Sequence, residues 1–136
     1  MGKRTNLKFL KIYLTLEKTL CDEHLGCVSE YISRLDGARY AERREEVLMH
    51  LLRYRSIRNR LAHEPGALDS IRSIGSDDIK WIKRFLCDLR RGRDPVSRYI
   101  HRAERLLALK KFKIYATVAL IALAAIAILA LIINIS

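Results

Sequence analysis

From Ile114 to Ile135 the chain is almost wholly Ala, Ile, Leu and Val, and it carries no charge there. A helix needs about 20 apolar residues, at 1.5 Å each, to cross the hydrocarbon core of a bilayer, and this run meets that length. The competing reading is a buried core helix, which an uncharged run this long disfavours. A cleaved signal sequence is not expected either, because the run sits at the C-terminal end with only Ser136 beyond it. Lys110, Lys111 and Lys113 flank the run on its N-terminal side, and nothing basic follows it. By the positive-inside rule, residues 1–113 face the cytoplasm. The expectation is a single-pass, tail-anchored protein of the cell membrane with a small cytoplasmic domain.

At 136 residues the chain has room for one such domain, and all of its formal charge of +11 lies in it. Basic excess on this scale predicts affinity for polyanions, whether RNA or the anionic lipids of the inner leaflet. Cys21, Cys27 and Cys87 fit a reducing compartment as buried free thiols. Cys21, His24 and Cys27 could be joined by Cys87 around a metal, but no paired CxxC spacing is present. Neither a metal nor a cofactor is expected.

Apolar periodicity is helical throughout. Thr5 or Asn6 can cap a first helix that runs to about Glu23 on Leu7, Leu10, Tyr13, Leu14, Leu16 and Leu20, with Gly26 closing it. Val28 to Leu35 is a short helical piece ended by Asp36-Gly37. A third helix covers about 40–63 and stops near His63, because Pro65 disfavours helical geometry at Glu64. Ser76-Asp77-Asp78 supplies a cap and first-turn acids for a fourth, built on Ile79, Ile82, Phe85, Leu86 and Leu89 and ending at Arg90-Arg91-Gly92. Asp94-Pro95 reads as a cap followed by a first-position proline. The helix it opens can run through Tyr99, Ile100, Ala103, Leu106 and Leu107 into the apolar run. The expected architecture is all-α: a four-helix bundle over 1–92, a basic amphipathic connection over 93–113 and a transmembrane helix over 114–135.

One arginine stands against this pattern. In the third helix Val47, Leu51, Tyr54, Leu61 and Ala62 define an apolar stripe, and Arg58 projects within about 20° of its centre. Arginine is almost never fully buried alone, so the position predicts either an ion pair or a working site. For the ion pair, the candidate acids are Asp77, Asp78 and Asp88. Arg58 is followed by Asn59 and, five residues on, by His63. An arginine, a polar residue and a histidine so spaced, near the end of a helix that leads into a Pro-Gly loop, resemble the signature of the HEPN superfamily. The resemblance covers about residues 5–92. Arg44 to His50 also has the spacing, but Glu45 rather than a neutral donor follows it. The resemblance implies a small helical bundle, often dimeric, and commonly a metal-independent endoribonuclease of defence, toxin–antitoxin or RNA-processing systems. It also allows members that keep the fold without cutting RNA.

The chemistry fits these side chains. RNA can be cut by its own 2′-hydroxyl attacking the adjacent phosphate, which requires proton transfer near neutral pH and neutralisation of the phosphate oxygens. Histidine as a residue type titrates in that range, and a helix C-terminus favours a protonated imidazole, so His63 suits the role of general acid for the leaving 5′-oxygen. Arg58 can hold a phosphate in two hydrogen bonds, with Arg55 or Arg60 assisting against the unfavourable dipole. Asn59 could orient His63 or a phosphate oxygen. Five residues of helix leave Arg58 and His63 about 140° apart, so two chains meeting through their soluble parts would complete the site better than one. Against the nuclease stand two other readings. One is a non-cleaving adaptor, with Arg90, Arg91, Arg93, Arg98, Arg102 and Arg105 on lipid headgroups or an acidic protein. The other is a structural subunit of a larger membrane complex. The expected partners are RNA, membrane lipids and a second copy of the chain, with an antitoxin or defence-complex protein also open.

Overall fold

The computed structural model describes residues 2–135, and among them every regular element is a helix. The elements are α1 (Gly2–Asp22), α2 (Val28–Gly37), α3 (Arg44–His63), α4 (Ala67–Ser70), α5 (Ser76–Arg90) and α6 (Pro95–Ile135). The chain divides into two compact units, one ending at Tyr99 and the other beginning at Ile100. The first is the bundle. It extends beyond residue 92 because Asp94, Pro95 and Val96 are buried with it.

α1 is the central element, packing against α2, α3, α4 and α5. It buries Asn6, Phe9, Tyr13, Leu16 and Leu20, a repeat of three and four that draws one stripe along the helix. Leu7 and Leu14, expected in that stripe, are 44% and 58% exposed instead. Phe9 rather than the leucines sets the register, because its ring meets Tyr13 and Tyr54 at centroid distances of 5.9 and 5.7 Å. Asn6 does not cap this helix. It lies about one turn inside, and its Nδ2 donates to the Leu68 and Ile71 carbonyls, both at 2.9 Å. Those carbonyls belong to the α4 turn and the residue after it, an element with too few residues to show a period in the sequence.

The loop to α2 turns on Gly26, whose φ of +84° is in the left-handed region. Glu30 then reaches back to accept the Cys27 backbone N–H at 2.9 Å, closing a capping box. α3 begins after Arg43, itself left-handed at φ +58°. Its guanidinium and the Trp81 indole N–H both donate to Glu46, the Trp81 bond being 3.1 Å, which ties α3 to α5. Beneath that clip Trp81 stacks between His50, at 4.3 Å, and Phe85, at 5.1 Å. α5 starts at Ser76 itself, so Gly75 rather than Ser76 takes the N-cap position, with Asp78 accepting the Gly75 N–H at 2.8 Å.

Asp94 caps α6 by accepting the Ser97 N–H at 3.1 Å, and its buried Oδ2 also accepts the Tyr31 hydroxyl at 2.8 Å. Arg98 pairs with Glu42 at 3.0 Å. The helix is then unbroken for 41 residues, about 60 Å. Residues 98–134 are exposed throughout, and the stretch from Ile114 to Ile133 is apolar on all sides. It is long and apolar enough to cross a membrane. Thr117 satisfies its hydroxyl within the helix, donating to the Ile114 carbonyl at 2.8 Å and the Lys113 carbonyl at 3.0 Å.

The three cysteines are free but exposed, not buried. Cys21 and Cys87 fall outside the buried repeats of α1 and α5, and Cys27 stands in the N-cap position of α2.

Candidate functional site

The C-terminal half of α3 carries Arg55, Arg58, Asn59, Arg60 and His63. Their placement follows from which residues α3 buries: Val47, Leu51, Tyr54, Ile57 and Leu61. Ile57 completes the stripe, while Ala62 is exposed and Arg58 is half-buried. An arginine near the middle of an apolar face can pack its aliphatic stem and lift its charged head to the rim. Arg58 stays partly accessible in this way.

No ion pair of Arg58 occurs among the described residues; its Nη1 donates to Asn59 Oδ1 at 3.3 Å. The acids that the ion-pair reading requires are engaged elsewhere. Asp78 accepts from Arg53 and from the Tyr54 hydroxyl, each at 3.0 Å. Asp88 lies 3.5 Å from Arg43, and Asp77 lies 3.2 Å from Lys80. Arg55 reaches Ser29 Oγ at 3.4 Å. Arg60 is bridged to Glu64 at 3.1 Å one turn on, so its charge is partly committed. His63 is exposed in the last position of α3, with no hydrogen bond or ion pair linking it to Arg58 or Asn59.

Tyr13 of α1 adjoins this group. Burial pushes its hydroxyl up to about 12, the Glu17 carboxylate adds to the shift, and the positive charges of Arg58 and Arg55 oppose it. Both guanidinium groups therefore act on one phenol, across the α1–α3 packing. Tyr13, Glu17 and Ser29 are neighbours that the third helix's own pattern could not supply.

The other Arg-to-His spacing is structural. Arg44 donates to the Leu35 carbonyl at 3.1 Å and pairs with Asp36 at 2.5 Å, while His50 stacks on Trp81 and sets Nδ1 2.8 Å from the Glu46 carbonyl. In the Arg58 set, by contrast, Asn59 and His63 are exposed and Arg58 is half-buried, with no acid paired to it among the described residues. Lys110, Lys111 and Lys113 are exposed at the start of the apolar stretch of α6. Among the described residues no group of three or more His, Cys, Asp or Glu side chains is placed to hold a metal ion.

Residues 7–118 match a family of unknown function, DUF6548. The match spans the bundle from Leu7 onward, the Arg58 set and the first residues of the apolar stretch. No curated protein matches the chain. No solved structure matches it either.

Proposed function

The chain belongs to DUF6548, a family of unknown function, and we propose that it is a membrane-attached, HEPN-like endoribonuclease that cuts RNA without a metal. One observation carries this reading: Arg58 presents a half-accessible guanidinium whose recorded bond is to a neutral amide, while the nearby acids serve other cations. A guanidinium held at the rim with no acid paired to it is available to an anion. A phosphate suits the fork geometry, and Asn59 helps to aim it.

Two chains meeting with their α3 ends together supply two imidazoles and two guanidinium groups to one groove. The neutral His63 of one chain accepts the proton of the 2′-hydroxyl as that oxygen bonds to phosphorus. The protonated His63 of the other donates to the departing 5′-oxygen. Arg58, helped by Arg55, stabilises the charge on the phosphate oxygens. The products are a 2′,3′-cyclic phosphate and a 5′-hydroxyl. Arg60 has a lesser part, since Glu64 competes for it. α6 inserts in the cell membrane with Lys110, Lys111 and Lys113 on the cytoplasmic side, leaving the bundle among its RNA substrates. A toxin–antitoxin or defence role accords with such an activity.

The test is cleavage of labelled single-stranded RNA by the full chain in detergent, with EDTA present. Cyclic-phosphate ends are expected. Arg58→Ala and His63→Ala should each lower the rate by about 100-fold or more while the helical signal and melting temperature hold. Wild-type cleavage by a folded His63→Ala chain would remove the proposed acid. If Arg58→Ala unfolds the bundle, the residue is structural.

A further inference from the structure

On the α1–α5 side of the bundle lies a groove of about 540 Å³ lined by Lys8, Lys11, Ile12 and Thr15 of α1 and by Ser76, Ile79, Lys80 and Lys83 of α5. Both sets follow the same helical spacing, i, i+3, i+4 and i+7, so each helix contributes one continuous face about 10 Å long. Ile12 and Ile79, both half-buried, give the floor an aliphatic character, and the four lysines are exposed. Among the described residues Lys8, Lys11 and Lys83 make no ion pair, and Lys80 is held only by Asp77, at 3.2 Å, with both side chains mostly exposed. The floor and rim are therefore open to a ligand.

We propose that this groove docks an acidic amphipathic helix of a partner protein. The helix would lay an apolar stripe on Ile12 and Ile79 and set Asp or Glu on either flank against the lysines. Charge complementarity selects the flanks, and the aliphatic floor selects the stripe. Its length matches about two turns of helix. RNA is a poorer occupant, because no aromatic side chain lines the groove for bases to stack on. An anionic bilayer would meet the lysines but leave a concave apolar floor unfilled. This inference is independent of the RNA-cleaving reading, since none of the groove residues belongs to the Arg58 set.

The experiment uses the full chain in zwitterionic nanodiscs and a fluorescein-labelled peptide of about 15 residues, Leu on one face and Glu flanking it. A shuffled peptide of the same composition, oligo-uridine and nanodiscs containing phosphatidylglycerol serve as competitors. Saturable binding is expected to weaken about tenfold or more with the shuffled peptide, in K8E/K11E/K83E and, by a smaller factor, in Ile79→Ser. Lys83→Glu alone, at an exposed position, keeps the test valid if the triple variant fails to fold. No binding, equal binding of the shuffled peptide, or indifference to the lysine reversals would overturn the proposal. Displacement of the peptide by oligo-uridine or by anionic nanodiscs would overturn it too, reassigning the lysines to RNA or lipid.

Discussion

Asp94 joins α2 to the start of α6 through one carboxylate. It is fully buried, it caps α6, and its Oδ2 receives the Tyr31 hydroxyl, while Oδ1 has no partner among the described residues. Asp94→Leu removes the cap and strands the buried phenol, so a loss of about 3 kcal/mol in urea unfolding is expected. Asp94→Asn keeps the acceptor that the Tyr31 hydroxyl and the Ser97 N–H share, so a change within about 1 kcal/mol is expected. Equal losses in the two variants would contradict this account. Titration should show the neighbouring chemistry at both ends of the pH scale. Burial, with Asp94 beside it, raises the Tyr31 hydroxyl, and burial with the Asp78 bond raises Tyr54. Tyr13 stands at about 12. These phenols keep their protons in the folded state after the unfolded state has begun to lose them. The stability they confer is whole below about pH 10 and falls as pH rises beyond it. On the acid side, hydrogen bonds from Arg43 and then Trp81 hold the Glu46 carboxyl at about 2, against an ordinary 4.5. Its contribution is present above pH 4.5 and is lost as pH falls towards 2. Because the Glu46 side chain is 44% exposed, solvent screening limits this to about 1 kcal/mol. Glu46→Gln should flatten the stability profile across that window and leave the alkaline limb unchanged.

At the scale of elements, turn chemistry and hidden polar ties decide what holds. A Cβ at position 26 would sit 1.8 Å from Glu30 Oε2, and φ there is +84°. Gly26→Ala therefore both strains the turn and displaces the capping box of α2. A loss of about 2 kcal/mol is expected in thermal or urea unfolding. Asn6→Ala frees the Leu68 and Ile71 carbonyls, and hydrogen exchange should speed across 66–74 before the rest of the bundle loosens. These two residues also mark the limits of the sequence. Gly26 could be read as a terminator because glycine there has a backbone reason. Asn6 reads as a cap because a lone amide near a helix start usually is one, and its partners lie more than 60 residues away. The α6 start was plain from Asp94-Pro95, and the α5 start was legible to within one residue from Ser76-Asp77-Asp78, since capping is local. The register of α1 was not, because leucines and Phe9 compete within one helix and only the facing aromatics choose between them.

At the scale of the whole molecule, the long apolar stretch was legible because it depends on length and composition alone. The Arg58 set was half legible. Its residue types and spacing stand in the sequence, but the absence of an acid partner depends on where Arg43, Arg53 and Lys80 find theirs. The lysine-rimmed groove was invisible, since its two faces meet only after α1 packs on α5. α6 yields its own prediction. An arginine in place of Ala124, near the middle of the apolar stretch, should cost about 3 kcal/mol of insertion and shift the protein from membrane to soluble or aggregated fractions. Release of the unsubstituted chain from membranes by alkaline carbonate would argue that this helix does not span a bilayer. Finally, the chain contains a single tryptophan, Trp81, sandwiched between rings from α3 and α5. The molecule thus carries one native indole, which can be excited apart from its tyrosines, at the junction of those helices. Its emission can follow their separation in detergent, nanodisc or cell extract without any attached dye.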